Sequence, residues 1–169
     1  MKLKITLLAL LALGACKDKG EESASGEAPT AAKAGDKAAA AAPAGPMKLE
    51  KLGGISIDVP AGTEVSDMAG SQMLQGPDLV VTVEEAGQFA PETLAAELEE
   101  AKDMYSALNV TQEEVEGGWH VTFQNKGGMG TNYWVKSHVT IGDKAYTCGT
   151  TGSTAKQQAN ALAACKSLK

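Results

Sequence analysis

His120 and His138 are the only imidazoles in a chain of 169 residues, and imidazole is the side chain best suited to proton transfer and metal ligation near neutral pH. Each stands in a run of alternating residues. Trp119, Val121 and Phe123 alternate with His120, Thr122 and Gln124, and Tyr133, Val135, Val139 and Ile141 alternate with Trp134, Lys136, His138 and Thr140. Two such runs around Lys126-Gly127-Gly128-Met129-Gly130 predict a hairpin with a glycine-rich loop. With the turn near Gly128, both imidazoles fall on one face of neighbouring strands as diagonal neighbours, about 7–8 Å apart. Such a pair would begin a metal site, but a third ligand is needed and nothing nearby supplies one. The expectation is therefore two polar residues on a partly exposed sheet face, with no metal and no cofactor. Trp134 shares that face with Lys136. A tryptophan among polar neighbours can anchor a partner, or it can lie beneath a helix, which is the expectation here.

Other chemistry leaves less trace. The acids Glu92, Glu97, Glu99, Glu100 and Asp103 crowd one predicted helix, where they would form either a cation site or a solvated face; the solvated face is expected. Lys126 to Gly130 lacks the Gly-Lys-Ser/Thr ending of a phosphate loop and opens no helix. No Gly-x-Ser-x-Gly elbow marks a serine hydrolase. No catalytic residue is assigned, and a non-enzyme is the default. The formal net charge is −6 and every basic residue is lysine, so the basic footprint that nucleic acid requires is missing.

The N-terminus carries an address. Met1-Lys2-Leu3-Lys4 is a basic start, and residues 5–13 are an apolar run of nine, too short for the roughly 20 residues of a membrane-spanning helix. A basic start, a short apolar core and a small-residue end are the marks of a secretory signal. Leu13-Gly14-Ala15-Cys16 then resembles the lipobox of bacterial lipoproteins, position by position. That resemblance implies diacylation of the Cys16 thiol, cleavage before it, and frequent acylation of the new amino group. An ordinary signal peptide with an incidental Cys16 is the competing reading. Each buried methylene contributes about 0.8 kcal/mol and one chain holds only marginally, so two or three chains on Cys16 would anchor the protein to a membrane durably. Lys17 stands where the enterobacterial family uses Asp for inner-membrane retention. The expected location is the cell envelope, at the outer membrane, facing the periplasm or the cell surface.

Loss of residues 1–15 takes Lys2 and Lys4 with it and leaves a net charge of −8. If Cys16 carries lipid, two of the three cysteines remain, Cys148 and Cys165, and an exported protein meets an oxidising compartment where disulfides persist. Without a Cys-x-x-Cys spacing, a structural bridge is favoured over a redox-active pair. Residues 17–46 are rich in Ala, Gly, Pro, Ser, Lys, Glu and Asp, with no large aliphatic or aromatic side chain. So little apolar surface cannot offset the entropy of ordering, and five consecutive alanines at 38–42 are too few to hold a helix. This segment, with Cys16, is read as a disordered tether reaching roughly 30 Å.

The elements that must position the candidate residues lie in 47–169. Residues 47–52 predict a strand and Gly53-Gly54 a turn. Ile55, Ile57 and Val59 alternate with Ser56 and Asp58 as a half-buried strand, ended by Pro60-Ala61-Gly62. Short edge strands are expected at 63–66 and 71–75, and 79–83 reads as a strand buried on both faces. Residues 91–108 predict a helix whose apolar stripe is Leu94, Leu98, Ala101, Tyr105 and Leu108, with the acids mostly off it. Further strands are expected at 110–116, through the hairpin, and at 144–150, with Gly117-Gly118 and Gly142-Asp143 as turns. Ser153 or Thr154 caps a last helix to about 168, its inward side formed by Ala155, Ala159, Leu162 and Cys165. The fold class is α+β, an antiparallel sheet carrying a mid-chain and a C-terminal helix.

The run Ile55-Ser56-Ile57-Asp58-Val59-Pro60-Ala61-Gly62, the following element order, Gly118-Trp119, Tyr146-x-Cys148 and the terminal Ser167-Leu168 resemble the PsbP-like fold. The resemblance implies an antiparallel sheet with helices on both sides and no single activity, because members of that fold bind very different partners. The expected function is a binding or accessory module of the envelope, acting on a protein or small ligand. The alternatives are a metal- or small-ligand-binding protein or enzyme using the His120/His138 face, and a purely structural envelope protein.

Overall fold

The computed structural model of the protein describes residues 45–169. Cys16, the signal segment and most of the expected tether lie outside them. In chain order the elements are β1 (Gly45–Leu49), a single 3-10 turn (Glu50–Leu52), β2 (Ile55–Val59), β3 (Glu64–Met68), β4 (Ser71–Gly76), β5 (Leu79–Glu85), α1 (Leu94–Tyr105), β6 (Leu108–Val115), β7 (Gly118–Gly127), β8 (Gly130–Ile141), β9 (Lys144–Gly152) and α2 (Ala155–Lys166). The α+β class stands. β1 begins at Gly45, two residues inside the expected tether, because Gly45 and Pro46 pair with Val59 and Asp58.

β3 to β9 form one antiparallel sheet in the order β3-β4-β5-β9-β8-β7-β6, and β1-β2 form a separate hairpin. The two helices lie on opposite faces. Odd residues of β7 point to the α1 face, where Trp119, Val121 and Phe123 bury against Leu94, Leu98, Ala101 and Tyr105. The other face carries the main core: Val81, Val83, Val135, Tyr146 and Cys148 pack against Ala161, Ala164, Cys165 and Leu168, with Leu49, Ile55, Ile57 and Val59 of the small hairpin closing it. A Cys148–Cys165 disulfide ties α2 to β9. Past α2 the chain locks onto β2, since Ser56 and Lys169 exchange two backbone hydrogen bonds and Ser167 Oγ accepts from Asp58 N at 2.7 Å.

Several expected boundaries shift for local reasons. α1 begins at Leu94, not 91, because Thr93 is extended and its side chain accepts the Ala96 N–H, which fixes the first turn. It ends when Ser106 turns left-handed, with φ 51°, so Leu108 leaves the apolar stripe and joins β6. β4 is interior, not an edge. β5 is buried on one face only, with Val80 36% exposed between buried Leu79 and Val81. α2 is rotated relative to the expected stripe: Ala161, Ala164 and Cys165 are buried, whereas Ala155, Ala159 and Leu162 are half-buried.

Candidate ligand cleft on the α1 face

α1 covers the β7 side of its sheet face and leaves the β9 and β5 side open. There a cleft of about 450 Å³ lies between the sheet, α1 and the chain segment that leads into it. Thr82 of β5, Lys136 of β8 and Gly149 of β9 are consecutive neighbours across its floor. Gly149 keeps that floor low, since a Cβ there would come within 2.6 Å of the Val135 carbonyl oxygen. Trp119 and Trp134 line the cleft, Ala90 and Pro91 contribute an apolar wall, and Glu84 and Thr147 stand along it.

Glu97 is the unexpected member. It projects from α1 into the sheet and is only 1% exposed, where a solvated acid was expected. Lys136 Nζ reaches it at 3.3 Å and donates to Glu100 at 2.6 Å, with the same ammonium 4.7 Å from the Tyr105 ring centroid. Burial pushes the Glu97 carboxyl from its ordinary 4.5 up to about 7, against the opposing charge of Lys136 and with some help from Glu100. Desolvation works to lower Lys136, but the hydrogen bond to Glu100 and the charges of Glu97, Tyr105 and Glu100 outweigh it and hold the ammonium above its usual value. Glu97 Oε1 has the Lys136 ammonium as its ion-pair partner, whereas the buried Trp119 Nε1–H finds no acceptor. Buried polar groups normally have partners, so this bare indole N–H is the unsatisfied group in the cleft wall.

The two histidines do not come together. β7 and β8 are joined through Gly128-Met129, with Gly127 opposite Gly130, and that register sets His120 opposite Ser137 and His138 opposite Trp119. A one-residue change of register moves a side chain to the other face, so His120 and His138 lie on opposite sides of the sheet and the expected shared face does not exist. His138 stacks on Trp119 on the α1 face, at 5.9 Å between ring centroids. His120 Nδ1 lies 2.9 Å from Ser137 Oγ on the α2 face, and burial, followed by the charge of Lys166, lowers its pKa against the pull of Glu113. That Ser–His contact has the spacing of a nucleophile and base, but Ser137 is 2% exposed and the pair fills a polar gap within the sheet's covered face. Among the described residues no group of three or more His, Cys, Asp or Glu is placed to hold a metal ion.

Trp134 does lie beneath a helix. Its ring packs on Tyr105 at 4.6 Å and stacks on Phe123 at 5.6 Å, and its Nε1–H donates to Asn125 Oδ1. It also faces the cleft, so it serves packing and site together. Glu97 was the residue to find in advance. It stands three after Leu94 and four before Ala101, which places it on the apolar stripe by helical spacing. No described helix is long and apolar enough to cross a membrane. The fold defines an α+β domain with one helix on each side of an antiparallel sheet, and a cleft opens on its α1 face. No protein-family model matches the chain, and no curated protein matches it.

Proposed function

We propose that this protein is a lipid-anchored binding module of the bacterial cell envelope, holding a small ligand in the cleft beside α1. The observation that carries the binding role is that cleft: two tryptophans, one of them with an unpartnered buried indole N–H, line one opening of about 450 Å³. This volume lies in the range of small-molecule sites, which are apolar with a few convergent polar groups. The module acts by binding, with the acid and ammonium at its wall paired to each other. The lipobox supports the anchor, and the Cys148–Cys165 disulfide supports export to an oxidising compartment. Helices on both faces of an antiparallel sheet support the PsbP-like resemblance, which leaves the ligand open.

The test is native mass spectrometry of the full chain expressed with its signal and extracted from membranes in detergent. The expected species begins at Cys16, carries at least a diacylglyceryl group, and gains a small-molecule adduct from envelope extract. A cleft-filling Thr82→Phe variant should keep the lipid and lose the adduct. An unlipidated Cys16 contradicts the anchor, and an adduct unaffected by Thr82→Phe, or none, contradicts the cleft.

A further inference from the structure

The β7-β8 hairpin is set apart by its charge. The chain has 21 acidic residues, yet none lies between Glu116 and Asp143, so this hairpin escapes the negative charge of the rest. Met129 at its apex is fully exposed. Lys126 stands one residue pair behind the apex, its ammonium bonded to Thr131 Oγ1 at 3.0 Å. Apolar surface continues behind the tip. Leu108 pairs with Gln124 of β7, and Asn125 Nδ2–H donates to the Tyr105 carbonyl at the end of α1. Those contacts bring Leu108, 49% exposed, and Met104, 74% exposed, to the same end of the sheet. The described chain also enters at this end. Gly45 pairs with Val59, and residues 60–62 lead on to Thr63, so close to Gly76 of β4 that a Cβ there would lie 2.4 Å from Thr63 Oγ1. The β4-β5 turn that follows Gly76 lies at the hairpin end, because Thr82 pairs with Gly149 and β9 runs on to Gly152 opposite Tyr133. Cys16 precedes Gly45 by 29 residues.

Resting on the reading of Cys16 as a lipid anchor, we propose that the tip of the β7-β8 hairpin docks on the bilayer that holds that anchor, with Met129 entering the acyl boundary and the Lys126 ammonium meeting lipid phosphates. An apolar side chain with a cation beside it suits the headgroup region, where burial of apolar surface and attraction to anionic lipid act together. An anionic leaflet attracts lysine within a Debye length and repels carboxylates, so an acid-free tip is the part of an acidic domain that can approach. One methionine and one lysine hold weakly alone. A tether makes their contact intramolecular and raises the effective concentration of the surface.

The test places the full chain, expressed with its signal and labelled at the methionine methyls, in discs of phosphatidylethanolamine and phosphatidylglycerol carrying a trace of gadolinium-chelating lipid. Methyl relaxation then reports distance from the bilayer. Met68 is the internal control: it is 53% exposed but sits at the β3-β4 turn, paired with Ser71 at the opposite end of the sheet. The two ends are roughly 20 Å apart along a strand, so enhancement at Met129 should exceed that at Met68 about twofold or more. Met104 should follow Met129, and a Lys126→Glu, Met129→Ser variant should bring Met104 down to the Met68 level. Equal enhancement at Met68 and Met129, or none at either, in a chain that stays with the discs overturns the docked tip and leaves the anchor standing. A Met104 signal that ignores the variant also overturns it. A chain that elutes apart from the discs overturns the anchor and the docked tip together.

Discussion

Replacing Glu97 with glutamine should stabilise the domain, and far more at pH 8 than at pH 5. The native carboxyl titrates near 7 and the unfolded one near 4.5, so the folded state holds this proton more tightly. Glu97 therefore adds stability below pH 4.5, and that contribution is lost as pH rises through 7. The groups facing it are Lys136 of β8, Glu100 and Tyr105. Linkage makes the penalty about 3 kcal/mol at pH 8 and below about 1 kcal/mol at pH 5. Glutamine has the same shape and escapes that penalty, while Lys136 keeps its bond to Glu100. At about 3 °C per kcal/mol for a domain of this size, Tm should rise by up to about 10 °C at pH 8 and by far less at pH 5. Thermal melts followed by circular dichroism, with the disulfide intact, measure both. A Glu97→Gln variant shifted equally at the two pH values would refute the buried-acid reasoning.

Other outcomes follow from the same contacts. Lys136→Met should push the Glu97 titration further up, because it removes the one opposing charge, and carboxyl NMR titration would read the shift; a lower pKa would contradict the pairing. Reducing the Cys148–Cys165 bridge should cost about 3 kcal/mol in the chain-entropy account, given its sequence separation of 17, seen as a lower denaturant midpoint; an unchanged midpoint would mean α2 is held without it. Thr93→Ala should cost about 1 kcal/mol by uncapping α1, and should loosen the cleft wall as measured by amide exchange in α1 against α2.

Much of this architecture is legible in alternating residues. The β7-β8 hairpin, the β8-β9 turn at Gly142-Asp143, the Thr154 cap of α2 and the cysteine pair follow from local patterns that the fold leaves undisturbed. Register is different. A loop of five residues containing three glycines allows the strands to pair one residue either way, and the actual pairing depends on which side chains both faces can bury. That choice separated His120 from His138. β5 read as doubly buried because Val80 and Val81 are equally apolar, and only α1's offset toward β7 leaves Val80 exposed. Glu97 was hidden by its own type: a carboxylate on a stripe of leucines reads as surface until Lys136, from a strand 36 residues from Glu100, arrives to meet it.

The most direct test of the binding claim uses the chain's two tryptophans, which give two indole N–H signals in a nitrogen-15 correlation spectrum. Trp134 Nε1–H is bonded to Asn125 Oδ1, whereas Trp119 Nε1–H is buried without an acceptor. Titration with the small-molecule fraction of an envelope extract should shift the Trp119 signal saturably, and by more than the Trp134 signal. If both indole signals stay fixed while the extract is raised to saturating concentration, the cleft beside α1 is not a ligand site.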